Sequence, residues 1–184
     1  MIKNISKFCL GTWSLGGATR GASSYGKIED KIVENIFNLS FESGINTFDT
    51  ASVYGKSEKL LGKFIHDKRE SIKVATKVGC NSYFKKIDFK KKTLERNIHL
   101  SLKNLKTDYL DICQFYNPNP NDSKLLSAFE YLQKLRLKGK IKYLGASLQN
   151  PNDYLELRKN FKFDMIQCNF NMLDQRLLED KIIR

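Results

Sequence analysis

The sequence predicts an α/β fold in which parallel strands alternate with helices, as a (β/α) barrel of TIM type with about six of its eight βα units. Three observations predict it. Short apolar runs recur along the chain, amphipathic segments separate them, and polar side chains stand where several of the runs end. Strands buried on both faces of a parallel sheet have such short, partly β-branched sequences. We treat residues 1–184 as one domain.

The predicted strands and helices alternate along the whole chain. They recur every roughly 25 to 40 residues, which is the size of a βαβ unit. The helical segments carry apolar residues three and four apart on one face, as Ile32, Ile36 and Leu39 do. The predicted strands are residues 8–13, 45–48, 72–78, 110–115, 141–148 and 163–168, and the predicted helices are residues 28–41, 57–65, 90–105, 122–138 and 151–157.

The alternation leaves two architectures open, an open doubly wound sheet and a closed barrel. The first strand is not followed by a GxGxxG segment, which weighs against the dinucleotide-binding form of the doubly wound sheet. A complete barrel needs roughly 250 residues. The chain has 184, so we expect a barrel truncated after its sixth strand. Such a sheet has two open edges, and we expect self-association through them.

The composition excludes some classes of protein. A hydrophobic content of 41% with 11% aromatic residues argues against disorder. No apolar run reaches the roughly 18 residues of a membrane span, and the first residues lack the core of a signal peptide. We therefore expect a cytoplasmic protein without a membrane partner.

The net charge of +12 is compatible with a polyanionic partner or a phosphorylated cofactor. The lysine clusters at residues 85–86 and 90–92 are short, however, and they are not interleaved with aromatic side chains. Solvated helix faces explain most of this charge. We expect no nucleic-acid partner and keep nucleic-acid binding as a third-ranked alternative.

The four cysteines are Cys9, Cys80, Cys113 and Cys168, which are far apart and show no CxxC spacing. This pattern favours reduced cysteines in or near the core over disulfides or a metal site. We expect no metal ion.

Polar residues at the strand ends mark the predicted site, because catalytic residues of a (β/α) barrel lie at the carboxyl ends of its strands. Asp49 ends the second strand, and Tyr54 follows five residues later. Lys77 lies near the end of the third strand, where a buried lysine is costly unless it is paired, so Asp49 is its expected partner. A nearby ammonium would lower the pKa of Tyr54 and make it a proton donor at neutral pH.

Further polar residues follow the later strands. They are Tyr116 and Asn117 after the fourth strand, Ser147 after the fifth, and Gln167 with Asn169 after the sixth.

Residues 44–62 read Gly-Ile-Asn-Thr-Phe-Asp-Thr-Ala-Ser-Val-Tyr-Gly-Lys-Ser-Glu-Lys-Leu-Leu-Gly. This stretch resembles the active-site segment of the aldo-keto reductases, G-x-N-x-x-D-T-A-x-x-Y-G-x-S-E-x-x-L-G. In that family the matching Tyr protonates a carbonyl oxygen as NADPH delivers hydride, and a Lys and an Asp tune the Tyr. The resemblance implies these roles for Tyr54, Lys77 and Asp49, and it implies NADPH-dependent reduction of an aldehyde or ketone to an alcohol.

Four other segments extend the resemblance over nearly the whole chain: residues 11–13, 108–114, 139–147 and 163–174. It implies a small-molecule carbonyl substrate and NADP(H) as cofactor. The cofactor-binding residues that it implies are Gly11, Thr12, Trp13, Asp49, Ser147 and Gln167.

The sequence departs from the family pattern in three places. Tyr116 stands where the family has a His that orients the substrate carbonyl, so we place Tyr116 and Asn117 in the substrate pocket. Leu148 follows Ser147, where the family usually has an Asn. The family's seventh and eighth strands have no counterpart among the 184 residues. The alternative interpretation is therefore a catalytically inactive, truncated aldo-keto-reductase-like protein.

Overall fold

The computed structural model describes residues 2–17, 26, 28–82, 85–179 and 182. Six strands form one parallel sheet in the order β1-β2-β3-β4-β5-β6, with a helix after each strand. The strands are β1 (Cys9–Gly11), β2 (Thr47–Asp49), β3 (Lys73–Val78), β4 (Leu110–Tyr116), β5 (Ile141–Leu148) and β6 (Met165–Cys168). The helices are α1 (Asp30–Glu42), α2 (Ser57–Phe64), α3 (Lys91–Leu105), α4 (Leu125–Leu137), α5 (Asp153–Leu157) and α6 (Arg176–Glu179).

The predicted fold is confirmed: the sheet curls into part of a (β/α) barrel. Both edge strands reach one interior cavity of about 390 Å³, to which β1 contributes Cys9 and β6 contributes Met165. The side chains alternate between two faces. In β3, for example, Val74 and Val78 belong to the apolar core, while Ala75 lines the interior cavity.

The main core lies between the outer face of the sheet and the helices. Phe37 of α1, Phe48 of β2 and Phe64 of α2 pack together, with ring centroids 5.4–5.8 Å apart. Three different elements are joined at this cluster. It therefore fixes α1 and α2 against β2, the strand that ends in Asp49.

The first strand is shorter than predicted. Residues 8–13 were expected to be extended, but β1 ends at Gly11 and a 3₁₀ helix begins at Trp13. The N–H of Thr12 still donates to the carbonyl of Asp49 at 2.9 Å, and the chain then turns, because the N–H of Leu15 donates to the carbonyl of Thr12 at 3.1 Å. The cysteines also differ in burial: Cys80 and Cys113 are buried, whereas Cys9 is exposed and Cys168 is partly exposed.

The described residues lack two kinds of feature. No group of three or more His, Cys, Asp or Glu side chains is placed to hold a metal ion. No helix in the described ranges is both long and apolar enough to cross a membrane.

Candidate active site

A buried ion pair lies at the carboxyl ends of β2 and β3. The ammonium of Lys77 donates to both carboxylate oxygens of Asp49, at 2.7 and 2.6 Å, and to the carbonyl of Thr50 at 3.1 Å. Lys77 is 3% exposed. Three acceptors match the three hydrogens of an ammonium, so the lysine is fully satisfied where it lies. The partner that the sequence predicted for Lys77 is the one it binds.

Gln114 joins this pair, a contact that was not predicted from the sequence. Its amide nitrogen donates to Asp49 at 3.2 Å, and the residue is fully buried. Gln114 lies opposite Lys77 in the parallel register of β3 and β4, and opposite Gly145 in that of β4 and β5. A Cβ at Gly145 would lie 3.2 Å from Cγ of Gln114, so the glycine leaves room for this side chain.

Tyr54 lies against the ion pair and is 8% exposed. The nitrogen of Lys77 is 5.0 Å from the centre of the Tyr54 ring. Burial, with the negative charge of Asp49 as a second cause, raises the pKa of Tyr54 well above its usual value. The expected lowering of this pKa was wrong, because burial of the phenol and, second, the charge of Asp49 disfavour its ionised form. Tyr54 is therefore a neutral phenol that keeps its proton.

One cavity of about 260 Å³ collects most of the predicted strand-end residues. Tyr54 and Lys77 line one side. The remaining lining comes from the ends of the later strands: Tyr116, Asn117, Ser147, Leu148, Gln149, Gln167, Cys168 and Asn169. Gly11, Thr12 and Trp13, all within the described part of the chain, do not line it. The side chain of Thr12 is fully buried, and its hydroxyl donates to the carbonyl of Asp49 at 2.9 Å.

Ser147 and Gln167 face each other in the register of β5 and β6. The side-chain oxygen of Gln167 is buried and has no hydrogen-bond partner among the described residues. A buried amide oxygen without a donor is costly, so this position favours a ligand that brings an N–H or O–H group.

Tyr116 places a second phenol beside Tyr54. Burial, with smaller effects of Tyr54 and Cys80, raises the pKa of Tyr116 to about 12, so its hydroxyl is also protonated at neutral pH. Asn117 follows it with a φ of 45°, in the left-handed region. Asn117 and Gln149 exchange two hydrogen bonds, at 3.2 and 3.1 Å, which ties the end of β4 to the end of β5.

These features define a (β/α)-barrel protein whose cavity at the carboxyl ends of the strands is built around a Tyr, a Lys and an Asp. The chain belongs to the aldo/keto reductase family, whose model matches residues 7–184. The resemblance inferred from residues 44–62 is thereby confirmed.

Curated relatives and solved structures agree with this membership. The chain is 31% identical to an uncharacterized oxidoreductase, YqkF, of Bacillus subtilis, over 94% of this chain and 55% of that protein. It is 27% identical to the NADH-specific methylglyoxal reductase of Escherichia coli, over 97% of this chain and 59% of that protein. It superposes on the holo form of the aldo-keto reductase AKR11C1 of Bacillus halodurans with a TM-score of 0.81 and 28% identity, over 95% of this chain and 57% of that one. The chain thus spans between half and three fifths of the length of these proteins.

Proposed function

We propose that this chain provides the catalytic part of an oxidoreductase that reduces an aldehyde or ketone to an alcohol with a nicotinamide cofactor. One observation carries the proposal: Tyr54 and Lys77 line one cavity with Ser147 and Gln167, and Asp49 binds Lys77 beside that cavity. Sequence positions almost 120 residues apart are thereby brought to one place. The phenols of Tyr54 and Tyr116 can donate hydrogen bonds there. The side-chain oxygen of Gln167, which has no partner among the described residues, can accept one, and the space is large enough for small reacting groups.

The residues present fit the nicotinamide end of such a cofactor. The unpartnered oxygen of Gln167 would accept a hydrogen bond from the carboxamide, and the neighbouring Ser147 would hold the same group. When bound, the cofactor supplies the hydride. We take NADP(H) as the cofactor from the family resemblance.

Tyr54 is proposed as the proton donor. Because its pKa is raised, the phenol keeps its proton at neutral pH and offers an O–H group to a carbonyl oxygen in the cavity. Lys77 holds its positive charge beside the Tyr54 ring, where it would stabilise negative charge that develops on the phenol oxygen as the proton leaves. Asp49, anchored in turn by Gln114, holds Lys77 in this position.

Tyr116 and Asn117 are proposed to line the substrate side of the cavity. The hydroxyl of Tyr116 can donate a hydrogen bond, because its pKa of about 12 keeps it protonated. The volume of about 260 Å³ favours a small carbonyl compound. The name of the Escherichia coli relative, a methylglyoxal reductase, supports a small substrate.

A fluorescence titration tests the cofactor part of the proposal. Trp13 is the single tryptophan of the sequence, and the resemblance assigns its segment to the cofactor. We expect NADPH to quench its emission saturably, and Gln167→Leu, which removes the unpartnered acceptor, to weaken the binding. NADH is titrated in parallel, because one relative is named as NADH-specific. If neither nucleotide binds the intact chain, the proposal fails.

The second candidate is an aldo/keto-reductase-like protein without catalysis. It is favoured by Tyr116, which stands at the position of the family's His. Oxidation of NADPH in the presence of a reactive aldehyde separates the two candidates. Cofactor binding without turnover of several small aldehydes would favour this second candidate.

A further inference from the structure

Three buried hydroxyls next to the Asp49–Lys77 pair form a chain that no step proposed above uses. They belong to Thr12 after β1, Thr50 after β2 and Ser57 at the start of α2, and all three residues are fully buried. The hydroxyl of Ser57 donates to that of Thr12, which donates to the carbonyl of Asp49 at 2.9 Å. The hydroxyls of Thr50 and Ser57 are 3.1 Å apart.

The direction of this chain follows from counting hydrogens. Each hydroxyl carries one hydrogen. That of Thr12 is given to Asp49, and that of Ser57 is given to Thr12. The contact between Thr50 and Ser57 therefore has Thr50 as its donor. Ser57 is the central member, since it accepts from Thr50 and donates to Thr12.

Ser57 also holds the segment that carries Tyr54. Its N–H donates to the carbonyl of Tyr54 at 3.0 Å. The same carbonyl packs against Gly16, where an added Cβ would lie only 1.8 Å from the oxygen. Gly16 in turn accepts a hydrogen bond from the N–H of Lys56 at 3.0 Å. The backbone on both sides of Ser57 is thus fixed by contacts that leave little room for movement.

We infer that Ser57 is a positioning residue for Tyr54. The hydroxyl of Ser57 bonds to those of Thr12 and Thr50. Thr12 in turn bonds to the carbonyl of Asp49, and the carbonyl of Thr50 accepts a hydrogen bond from Lys77. Through its N–H, Ser57 is attached to Tyr54. Ser57 therefore sets the Tyr54 segment against the ion pair. The consequence for turnover rests on the proposed function, whereas the structural role does not.

Amide hydrogen exchange measured by NMR on the intact chain tests the structural role. In Ser57→Ala we expect the amides of Tyr54, Lys56 and Ser57 to exchange about tenfold faster, the size of effect that loss of one net hydrogen bond gives. The amides of Cys113 and Leu144, in β4 and β5, report any general loss of stability and are expected to change less. Thr50→Val, which removes the donor to Ser57, is expected to act in the same direction, and Thr50→Ser, which keeps the hydroxyl, to stay within about twofold of the wild type.

Exchange that increases equally at residues 54–57 and in β4 and β5 would overturn the inference, because Ser57 would then support general stability only. Unchanged exchange at residues 54–57 would overturn it as well. A Thr50→Ser variant as fast as Thr50→Val would show that the hydroxyl chain is not the cause, with the same consequence.

Steady-state kinetics test the consequence for turnover. We expect Ser57→Ala to lower kcat about tenfold with KM for the carbonyl compound within about twofold, and to have no further effect on kcat in the Tyr54→Phe background. An equal effect of Ser57→Ala in both backgrounds would contradict the link to Tyr54. If the wild type shows no turnover, the proposed function fails, and the exchange experiment still decides the structural role.

Discussion

Lys77 lies with its ammonium nitrogen 5.0 Å from the centre of the Tyr54 ring, while its hydrogens go to Asp49 and Thr50. The lysine thus acts on the tyrosine through space and is held in place by other groups. The charge of Lys77 does not make Tyr54 acidic. Burial of the phenol, with the negative charge of Asp49 as a second cause, raises the pKa of Tyr54 and keeps it protonated.

The ion pair predicts a large stability loss in Lys77→Met. Removing one partner of a buried pair leaves the other charge uncompensated, and we expect a loss of about 3–5 kcal/mol in the free energy of unfolding. Among the described residues, Asp49 would keep the amide of Gln114 as its one side-chain partner. Urea unfolding of Lys77→Met and of the double variant Lys77→Met/Asp49→Leu measures this. The double variant is expected to be the more stable of the two, and strictly additive losses would contradict the account.

The raised pKa of Tyr54 predicts how turnover depends on pH. An acid whose pKa is raised keeps its proton to higher pH, so activity that needs the protonated phenol is lost only as the pH rises through that raised value. We expect kcat not to fall with a midpoint below about 10, the ordinary pKa of tyrosine. A fall in kcat at lower pH that is absent from the residual activity of Tyr54→Phe would contradict this.

The burial of Glu58 predicts that the free energy of unfolding depends on pH. It is 2% exposed, accepts hydrogen bonds from Thr76 at 2.8 Å and Asn104 at 3.0 Å, and has its pKa raised, chiefly by burial. Because the pKa of Glu58 is raised in the folded state, the stabilisation that depends on its protonated form is complete below the unfolded-state pKa of about 4.3. This stabilisation is lost as the pH rises towards the folded-state pKa.

We therefore expect Glu58→Gln to gain stability relative to the wild type as the pH rises from roughly 4 towards neutrality. Urea unfolding at several pH values gives the difference between the two proteins. Glu34→Gln, at an exposed position of α1, is the matched control and should show a smaller trend. A difference between Glu58→Gln and wild type that is constant across this pH range would contradict the assignment.

Exposed apolar side chains beside the two edge strands of the described sheet predict self-association. Large apolar side chains are exposed next to both edge strands: Phe8 before β1, and Phe170, Met172 and Leu173 after β6. Leu173 is 98% exposed, and Leu137, at the end of α4, is 88% exposed. Light scattering after size exclusion should detect dimers or larger species. Leu173→Lys should reduce them, and the control Leu137→Lys should not; equal effects of both variants would exclude the edges as the cause.

The sequence allowed the fold and part of the site to be predicted for a definite physical reason. Alternation along β3 places Lys77 on the interior face, and a buried lysine requires an acid nearby, which Asp49 supplies. The density of the match at residues 44–62 supported the same assignment. Strand spacing then indicated that residues as distant as Ser147 and Gln167 reach the same end of the barrel.

Other features depend on three-dimensional detail that a sequence does not carry. The pKa of Tyr54 is raised by its burial and, second, by the charge of Asp49, and both depend on how the chain folds around the phenol. In the sequence, Gln114 does not differ from other polar residues in strands. The register of β3 and β4 in the folded chain is what places it beside Asp49. Its position two residues after Ile112, on the same face of β4, is the signal that could have identified it.

A comparison of the two phenols in the cavity tests whether Tyr54 is the proton donor. The rate of NADPH oxidation with a small reactive aldehyde is measured for the wild type, Tyr54→Phe and Tyr116→Phe. Each substitution removes one hydroxyl and keeps the ring. We expect Tyr54→Phe to lower kcat by at least about a hundredfold, the lower end of what a proton donor contributes, and Tyr116→Phe to cost clearly less. Turnover by Tyr54→Phe equal to that of the wild type would contradict the account.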